Sequence, residues 1–278
     1  MTDLIKTGVI GHPISHSKSP LIHNYWIEMY QLNGQYGAID IAPEYLKDGV
    51  QKLIDDGYAG FNVTVPHKQA IMELCHEVDD LASQVGAVNT VNIRNGLLYA
   101  TNTDVFGFTE NLKNAARNFG FSWSPDLGPA VVLGAGGAAK AVVHGLLREN
   151  VPEIIITNRT KEKALEFVAL DPSIIKVIDW DNRSDVLNTA NLLVNTTSVG
   201  MNGAGDLEMD FSRANEDMLV HDIVYAPLYT DLLKAAREHD LRILTGIGML
   251  LYQAQPAFED WYDTFVEITP GLEELVLS

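Results

Sequence analysis

The sequence predicts a two-domain α/β protein, and three observations lead there. The chain has 278 residues, more than one ordinary core holds and suited to two domains of about 100–150 residues each. From Lys6 onward, short apolar runs alternate with stretches of helical periodicity, the order that builds parallel sheets with crossover helices. Well along the chain, Gly134-x-Gly136-x-x-Ala139 follows an apolar strand and opens a second strand–helix series.

The first strand covers residues 7–10 and ends at Gly11-His12-Pro13. A helix starts near Ser19-Pro20, with Ser19 as cap and Pro20 at its first position. Its apolar residues Ile22, Tyr25, Trp26 and Met29 recur at helical spacing. A second strand spans 35–41. Pro43 then opens a helix through Asp56, closed by Gly57. The third strand, 60–65, is rich in β-branched residues and stops at Pro66, which opens a helix through about His76. This order implies parallel pairing with right-handed crossovers. Residues 88–93 and 97–101 flank Arg94-Asn95-Gly96, and Asn-Gly between two apolar runs marks a hairpin.

A helix over 104–118 and a polar, Pro/Gly-containing stretch at 120–129 mark the passage to the second domain. After its opening strand, further strands are expected at 153–157, 176–178, 192–195, 219–222 and 242–244, with helices in the gaps. The last helix, 249–265, is long and aromatic and is expected to pack back on the first domain. The acidic stretch 267–274 reads as a solvated helix face.

Composition narrows the function. Hydrophobic residues make up 46% of the chain, which excludes wholesale disorder. With 19 Lys+Arg against 37 Asp+Glu the formal charge is −18. Such a surface repels phosphate backbones and anionic lipid, so neither nucleic acid nor membrane is an expected partner. Cys75 is the single cysteine, so there is no internal disulfide and no Cys-rich metal site, as suits a reducing cytoplasm. Residues 1–6 lack the apolar stretch of a signal peptide. No metal is expected either: His12 and His16 are four apart, but Pro13 breaks a helix there, and no His-Glu-x-x-His occurs.

The glycine turn is the variant of the dinucleotide fingerprint that ends in Ala. Gly134 permits the tight turn, Gly136 lets the backbone approach a pyrophosphate, and Ala139 allows close helix–strand packing. Amides at the helix N-terminus then bind the phosphates. An NAD site would end its second strand in a carboxylate for the ribose 2′-hydroxyl. Here that position reads Thr157-Asn158-Arg159-Thr160, with Lys161 and Lys163 close behind. A forked guanidinium suits a 2′-phosphate and stacks on adenine, so NADP(H) is the expected cofactor.

Three segments of the first domain carry polar groups at strand ends, where open α/β sheets bind ligands. In the first, Ser17 and Ser19 alternate and place two hydroxyls on one side of an extended chain. The second is Asn62-Val63-Thr64-Val65-Pro66-His67-Lys68, in which Asn62 and Thr64 share a strand face. Lys68 falls in the first turn of the next helix, a place the helix dipole disfavours for a cation. The third joins Gly86-Ala87-Val88-Asn89-Thr90 to Thr101-Asn102-Thr103-Asp104. A surface lysine, a helix cap at Asp104 and a turn residue at Asn89 are the plainer readings of single members.

Together the chain resembles the shikimate dehydrogenase family. The matching motifs are Ser17-Lys18-Ser19-Pro20, Asn62 to Pro66 with Lys68, the Asn89 and Asp104 segments, the Gly134 loop, Asn158-Arg159-Thr160, the segment from Asn195 to Met201, and Gly248-Met249-Leu250 with Gln253. The resemblance implies reversible NADPH-linked reduction of 3-dehydroshikimate to shikimate, in the pathway to chorismate and the aromatic amino acids. It gives Lys68 and Asp104 as the catalytic pair. Ser17 and Ser19 would hold the substrate carboxylate; Thr64, Lys68, Asn89, Asp104 and Gln253 would bind the ring hydroxyls, with Tyr225 lining the pocket. Gly134, Ala135, Gly136, Gly137 and Ala138, with Asn158, Arg159, Thr160 and Lys163, would hold NADP(H), and Asp80, Ile223 and Gly246 would contribute to that site. Two positions depart from the family pattern. Lys163 stands where a second arginine is usual, and His67 where an apolar aromatic is common.

The implied architecture is a substrate domain of residues 1–104 plus 247–278 and a Rossmann-type NADP domain of 105–246. The active site is expected in the cleft between them, which would close on cofactor binding. The expected partner is the small-molecule substrate, with a homodimer left open. Two rivals remain: a quinate/shikimate dehydrogenase using NAD, and a non-catalytic NADP-binding sensor that would have no need of Lys68 and Asp104 together.

Overall fold

The computed structural model describes residues 4–115, 120 and 123–278. They form two compact units, Met1–Thr103 with Leu251–Ser278, and Asp104–Leu250. The predicted far end of the helix at 104–118 lies outside the described residues, as do residues 121–122 of the expected boundary stretch.

The first unit is built on a six-stranded sheet of β1 (Ile5–Gly11), β2 (Gly34–Asp40), β3 (Tyr58–Val63), β4 (Glu77–Val78), β5 (Thr90–Arg94) and β6 (Leu97–Thr101), in the order β2-β1-β3-β5-β6-β4. β1 runs parallel to β2 and β3, and β5 runs antiparallel to β3 and β6. The predicted hairpin joins β5 to β6 through Asn95 (φ +53°) and Gly96 (φ +76°), the two left-handed residues that a tight turn between twisted strands requires. On one face, α2 (Leu46–Asp55) packs Leu46, Val50 and Leu53 with Ile10, Phe61 and Val91. On the other, α1 (Ser19–Met29) and α9 (Ala254–Tyr262) gather Trp26, Phe258 and Trp261 around His23 and Tyr36. The C-terminal helix α10 (Pro270–Leu277) exposes Glu274 and buries Leu272 and Val276.

Three local expectations for this unit are corrected. Ser19 is the first helical residue rather than the cap; Lys18 takes the cap position without a side-chain bond. The Ser17 hydroxyl oxygen instead accepts from Ser19 N at 3.3 Å. Residues 66–76 form turns and a 3₁₀ segment, Ala70–Leu74, not an α-helix. The Lys68 carbonyl is taken by Val88 N at 2.8 Å, while Met72 N bonds to Gln69 O, so an i→i−4 ladder cannot start at Lys68. The long aromatic helix is two, α8 (Ile247–Tyr252) and α9, since Pro256 has no N–H to offer the Tyr252 carbonyl.

The second unit has a six-stranded, wholly parallel sheet of β7 (Ala130–Leu133), β8 (Ile154–Thr157), β9 (Ile175–Ile178), β10 (Leu192–Asn195), β11 (Leu219–Asp222) and β12 (Arg242–Leu244). The order is β12-β11-β10-β7-β8-β9, the doubly wound arrangement whose switch point falls between β7 and β10. All four residues are buried in each of β7, β8, β10 and β11, as both faces of a parallel sheet demand. The helices are α4 (Asp104–Lys113), α5 (Gly137–Arg148), α6 (Lys161–Leu165) and α7 (Asp231–Glu238). Helices do not fill every gap. The β9–β10 and β10–β11 connections hold only the 3₁₀ turns Trp180–Asn182 and Met201–Gly203. Between β10 and β11, Gly200, Gly203 and Gly205 take positive φ, and Asp206, Asp210 and Asn215 bond the amide two residues on. Such turn chemistry competes with helix.

Candidate active site

In the first unit the strand ends carry a cluster of neutral amides and hydroxyls. Asn89 precedes β5 and is buried. Its Nδ2 donates to Thr103 Oγ1 at 2.9 Å and to Gln253 Oε1 at 3.3 Å, and its Oδ1 accepts from Thr103 N at 2.8 Å. Asn62, also buried, donates through Nδ2 to Asn89 O at 3.1 Å and Thr90 Oγ1 at 3.0 Å. Asn102 fixes the neighbouring loop by donating to Ala87 O at 2.9 Å. Residues distant in sequence, Asn62, Asn89, Thr103 and Gln253, are thereby held in one orientation each.

Around this cluster, Thr64 continues from β3 with its amide bonded to Ile10 O at 2.9 Å. Thr64 and Lys68 are both half-buried. Lys68 lies in a turn, so the helix-dipole argument for its singularity falls away. Its position is set by the Val88 bond to its own carbonyl. His67 is buried, and its Nε2 lies 2.6 Å from Ile41 O. A carbonyl only accepts, so Nε2 carries the proton and the ring sits where an apolar aromatic is usual. Ser17 and Ser19 are paired by the amide–hydroxyl bond between them. Asp80 opens α3 (Asp80–Val85) with its side chain exposed, while Asp79 is the residue that caps it; Asp80 belongs to the first unit.

The second unit is shaped by backbone. Gly134 has φ +106°, and a Cβ there would lie 2.7 Å from Thr196 Oγ1. Thr196 in turn is pinned to Leu133 O by both its N and its Oγ1. Gly136 and Gly137 are exposed, and a Cβ on either would meet nothing within 4 Å. Gly136 caps α5 without a side chain, which leaves the first amides of a 12-residue helix open to an anion. Ala135 and Ala138 are half-buried and Ala139 is buried. After β8, Asn158 Nδ2 donates to Thr160 O at 2.8 Å, fixing a turn from which Arg159, Thr160 and Lys163 are exposed. Lys161 is committed to Asp179 at 2.7 Å.

Beside the switch point, Asp222 is buried and accepts from Asn195 Nδ2 (2.9 Å), Val224 N (3.0 Å) and Thr230 Oγ1 (2.6 Å). Burial raises its carboxyl above the ordinary value, and the three bonds oppose that shift. It ties β10, β11 and the N-cap of α7 together, a role that sequence reading missed because a lone Asp at a strand end gives no spacing signal. Ile223 and Tyr225 follow it and are half-buried, with the Tyr225 phenol raised by burial. Gly246 is required here, since a Cβ would lie 2.2 Å from Ile223 O. Asp104 is the first residue of α4 and half-buried.

A doubly wound sheet with an uncapped glycine turn at its switch point, a strand end that offers Arg159 in place of a carboxylate, and a separate unit with a fixed neutral polar cluster define a class. It is that of nicotinamide-dinucleotide oxidoreductases acting on small polar molecules. Residues 9–91 match the shikimate dehydrogenase substrate binding domain, and residues 118–225 match the shikimate/quinate 5-dehydrogenase domain. A protein of Methylocella silvestris named shikimate dehydrogenase (NADP(+)) is 46% identical over 96% of this chain and 94% of its own length. One of Paramagnetospirillum magneticum with the same name is 44% identical over 98% of this chain and 97% of its own. The crystal structure of a Thermus thermophilus shikimate 5-dehydrogenase in complex with NADP(H) and shikimate superposes with a TM-score of 0.85 at 33% identity, covering 98% of both chains. The chain belongs to the shikimate dehydrogenase family.

Proposed function

We propose that the chain catalyses the reversible NADPH-linked reduction of 3-dehydroshikimate to shikimate. The observation that supports this reading is the Asn62–Asn89–Thr103–Gln253 cluster, which is neutral and fixed by its own hydrogen bonds. Thr64, Lys68, Asn89, Asp104 and Gln253 bind the ring oxygens, Ser17 and Ser19 the carboxylate, and Tyr225 lines the pocket. Gly134 to Ala138 receive the pyrophosphate, and Asn158, Arg159, Thr160 and Lys163 the adenosine 2′-phosphate end; Ile223 and Gly246 serve the same cofactor, as does Asp80. The open glycine turn and the φ of Gly134 fit a dinucleotide, which supplies hydride to the ring carbonyl carbon when bound.

The remaining chemistry falls to side chains. As hydride arrives, the carbonyl oxygen gains negative charge. The Lys68 ammonium stabilises that charge and delivers the proton. Asp104 orients Lys68 and a substrate hydroxyl. With a net charge of −18 on the chain, an anionic substrate needs a locally favourable pocket, supplied by Lys68 and neutral donors. Among the described residues no helix is long and apolar enough to cross a membrane, and the reading places the enzyme in the cytoplasm. A homodimer belongs to the same reading and is checked by light scattering.

Initial rates of shikimate and quinate oxidation with NADP and NAD at alkaline pH test the whole. Rapid turnover is expected for shikimate with NADP only. Comparable quinate turnover or an NAD preference would move the chain to the quinate-using branch, and NADPH binding without turnover would leave a sensor.

A further inference from the structure

The glycine turn of the second unit is backed by two threonines. A Cβ on Gly134 would lie 2.7 Å from Thr196 Oγ1, 3.0 Å from Thr197 Cγ2 and 3.3 Å from Thr197 N, so residues 196–197 form the wall against which the turn closes. They follow β10, across the switch point from β7, where a doubly wound sheet takes its ligand. Thr196 is pinned to Leu133 O. Thr197 is set from the other direction, by Asn195. Its N and its Oγ1 both donate to Asn195 Oδ1, at 2.9 and 2.7 Å, and its Oγ1 accepts from Val199 N at 3.1 Å.

Donor and acceptor roles leave one orientation for that amide. Thr197 N can only donate, so the end of Asn195 that faces it is oxygen, and Nδ2 points the other way. There it donates to Asp222 Oδ1 at 2.9 Å, with Val199 O more distant at 3.3 Å. Asp222 Oδ1 also accepts from Val224 N at 3.0 Å, and Oδ2 from Thr230 Oγ1 at 2.6 Å, so the carboxyl is held at both oxygens. Asn195 and Asp222 are each 0% exposed. Solvent does not substitute for a bond buried in this way, and without it the amide would have to turn toward other acceptors.

We propose that Asp222 is a positioning residue for the dinucleotide: through Asn195 it holds Thr197 against the Gly134 turn, so that the approach to the pyrophosphate is shaped before the cofactor arrives. The inference rests on the assignment of that turn to the pyrophosphate. Preorganisation lowers the ordering cost of binding. It should be felt by a ligand that spans the turn and not by one that stops at Arg159.

The test sets NADPH beside adenosine 2′-monophosphate, which carries the Arg159 end of the cofactor without a pyrophosphate, and reads both dissociation constants by calorimetry. Asp222→Ala is expected to weaken NADPH roughly tenfold, the scale of a buried donor left unpaired, with the fragment within about twofold. Asp222→Asn keeps an oxygen for Asn195 Nδ2 and Val224 N and offers an N–H to the Thr230 hydroxyl, so NADPH binding should stay within about twofold of the parent. In an Asn195→Ala background Asp222→Ala should add less than its own factor, since the two act through one bond. An equal loss for NADPH and fragment, factors that multiply, or Asp222→Asn as damaging as Asp222→Ala would overturn the proposal and leave Asp222 a brace for the unit as a whole. If Gly134→Val leaves NADPH affinity intact, the assignment of the turn is what fails. Should Asp222→Ala not fold, Thr197→Val decides. It keeps the branched shape, loses the hydroxyl bonded to Asn195, and should weaken NADPH about threefold with the fragment unaffected. Unchanged NADPH affinity there would equally overturn the proposal.

Discussion

The two units prepare their sites by opposite means. In the second, the site is made by leaving side chains out: Gly134 at φ +106°, and Gly136 and Gly137 with open space where a Cβ would be. In the first, it is made by side chains that hold one another, Tyr36 on Asn62, Asn62 on Asn89 and Thr90, and Asn89 on Thr103 and Gln253. A phosphate is met by backbone amides, which need only a clear approach. A polyhydroxylated ring needs donors and acceptors at fixed angles, and only a satisfied network keeps amides from rotating. The same difference predicts how each site breaks. The amide network should lose function one bond at a time, and the glycine turn all at once.

The largest effect should come from Lys68, the proton donor of the proposed reaction. Lys68→Ala is expected to lower turnover on the order of 1000-fold, the scale of a lost proton donor and charge partner. NADPH affinity, followed by nucleotide fluorescence, should not change. Near-normal turnover would remove Lys68 from the reaction.

On the cofactor side, Gly134→Val should be the harshest change. A branched side chain resists φ +106°, and its Cβ would press on Thr196, itself fixed to Leu133 O. A cost of roughly 1–3 kcal/mol for the backbone alone, with the displaced turn added, should weaken NADPH binding about 100-fold while calorimetry shows a folded protein. Arg159→Ala should act more narrowly. Losing a charge-assisted contact worth about 1.5–3 kcal/mol, it should raise KM for NADP some 10- to 100-fold (about that range) and leave the slow reaction with NAD unchanged. An equal rise for both nucleotides would mean that Arg159 only shapes the turn.

These contrasts also explain what the sequence discloses. β7, β8, β10 and β11 are read directly because a parallel strand buried on both faces must be apolar throughout. The glycine turn is read because positive φ and open approach both require glycine. Asn95-Gly96 is read for the first of those reasons. Segment 66–76 is misread because its fate depends on Val88 N taking the Lys68 carbonyl, a contact between residues 20 apart that no local pattern announces. Tyr36 is invisible for a similar reason. A tyrosine in a strand is ordinary, and only the fold shows that His23, Asn24 and Asn62 converge on it. The substrate residues of the first unit are named by resemblance; what their side chains do for one another is seen only in three dimensions.

The mildest effect, read per pH unit, is one that both units should share. Each buries a histidine completely, His23 in the first and His221 in the second, and burial lowers both from the ordinary 6.5 to about 3. Neither ring finds a partner for a second proton. Both His23 nitrogens and His221 Nδ1 are unbonded among the described residues, while His221 Nε2 meets Asn111 Nδ2 at 3.1 Å. With the folded pKa below the unfolded one, the unfolded chain binds protons first as pH falls. Stability is therefore complete above about pH 6.5 and declines from there toward about pH 3, by roughly 1.4 kcal/mol per pH unit for each histidine. Urea midpoints at neutral and mildly acidic pH should show the decline, and His23→Phe or His221→Phe should each remove part of the slope. If neither variant flattens the curve, the acid sensitivity does not lie with the buried imidazoles. If only one does, the unit to which that histidine belongs is the one whose unfolding sets the measured midpoint.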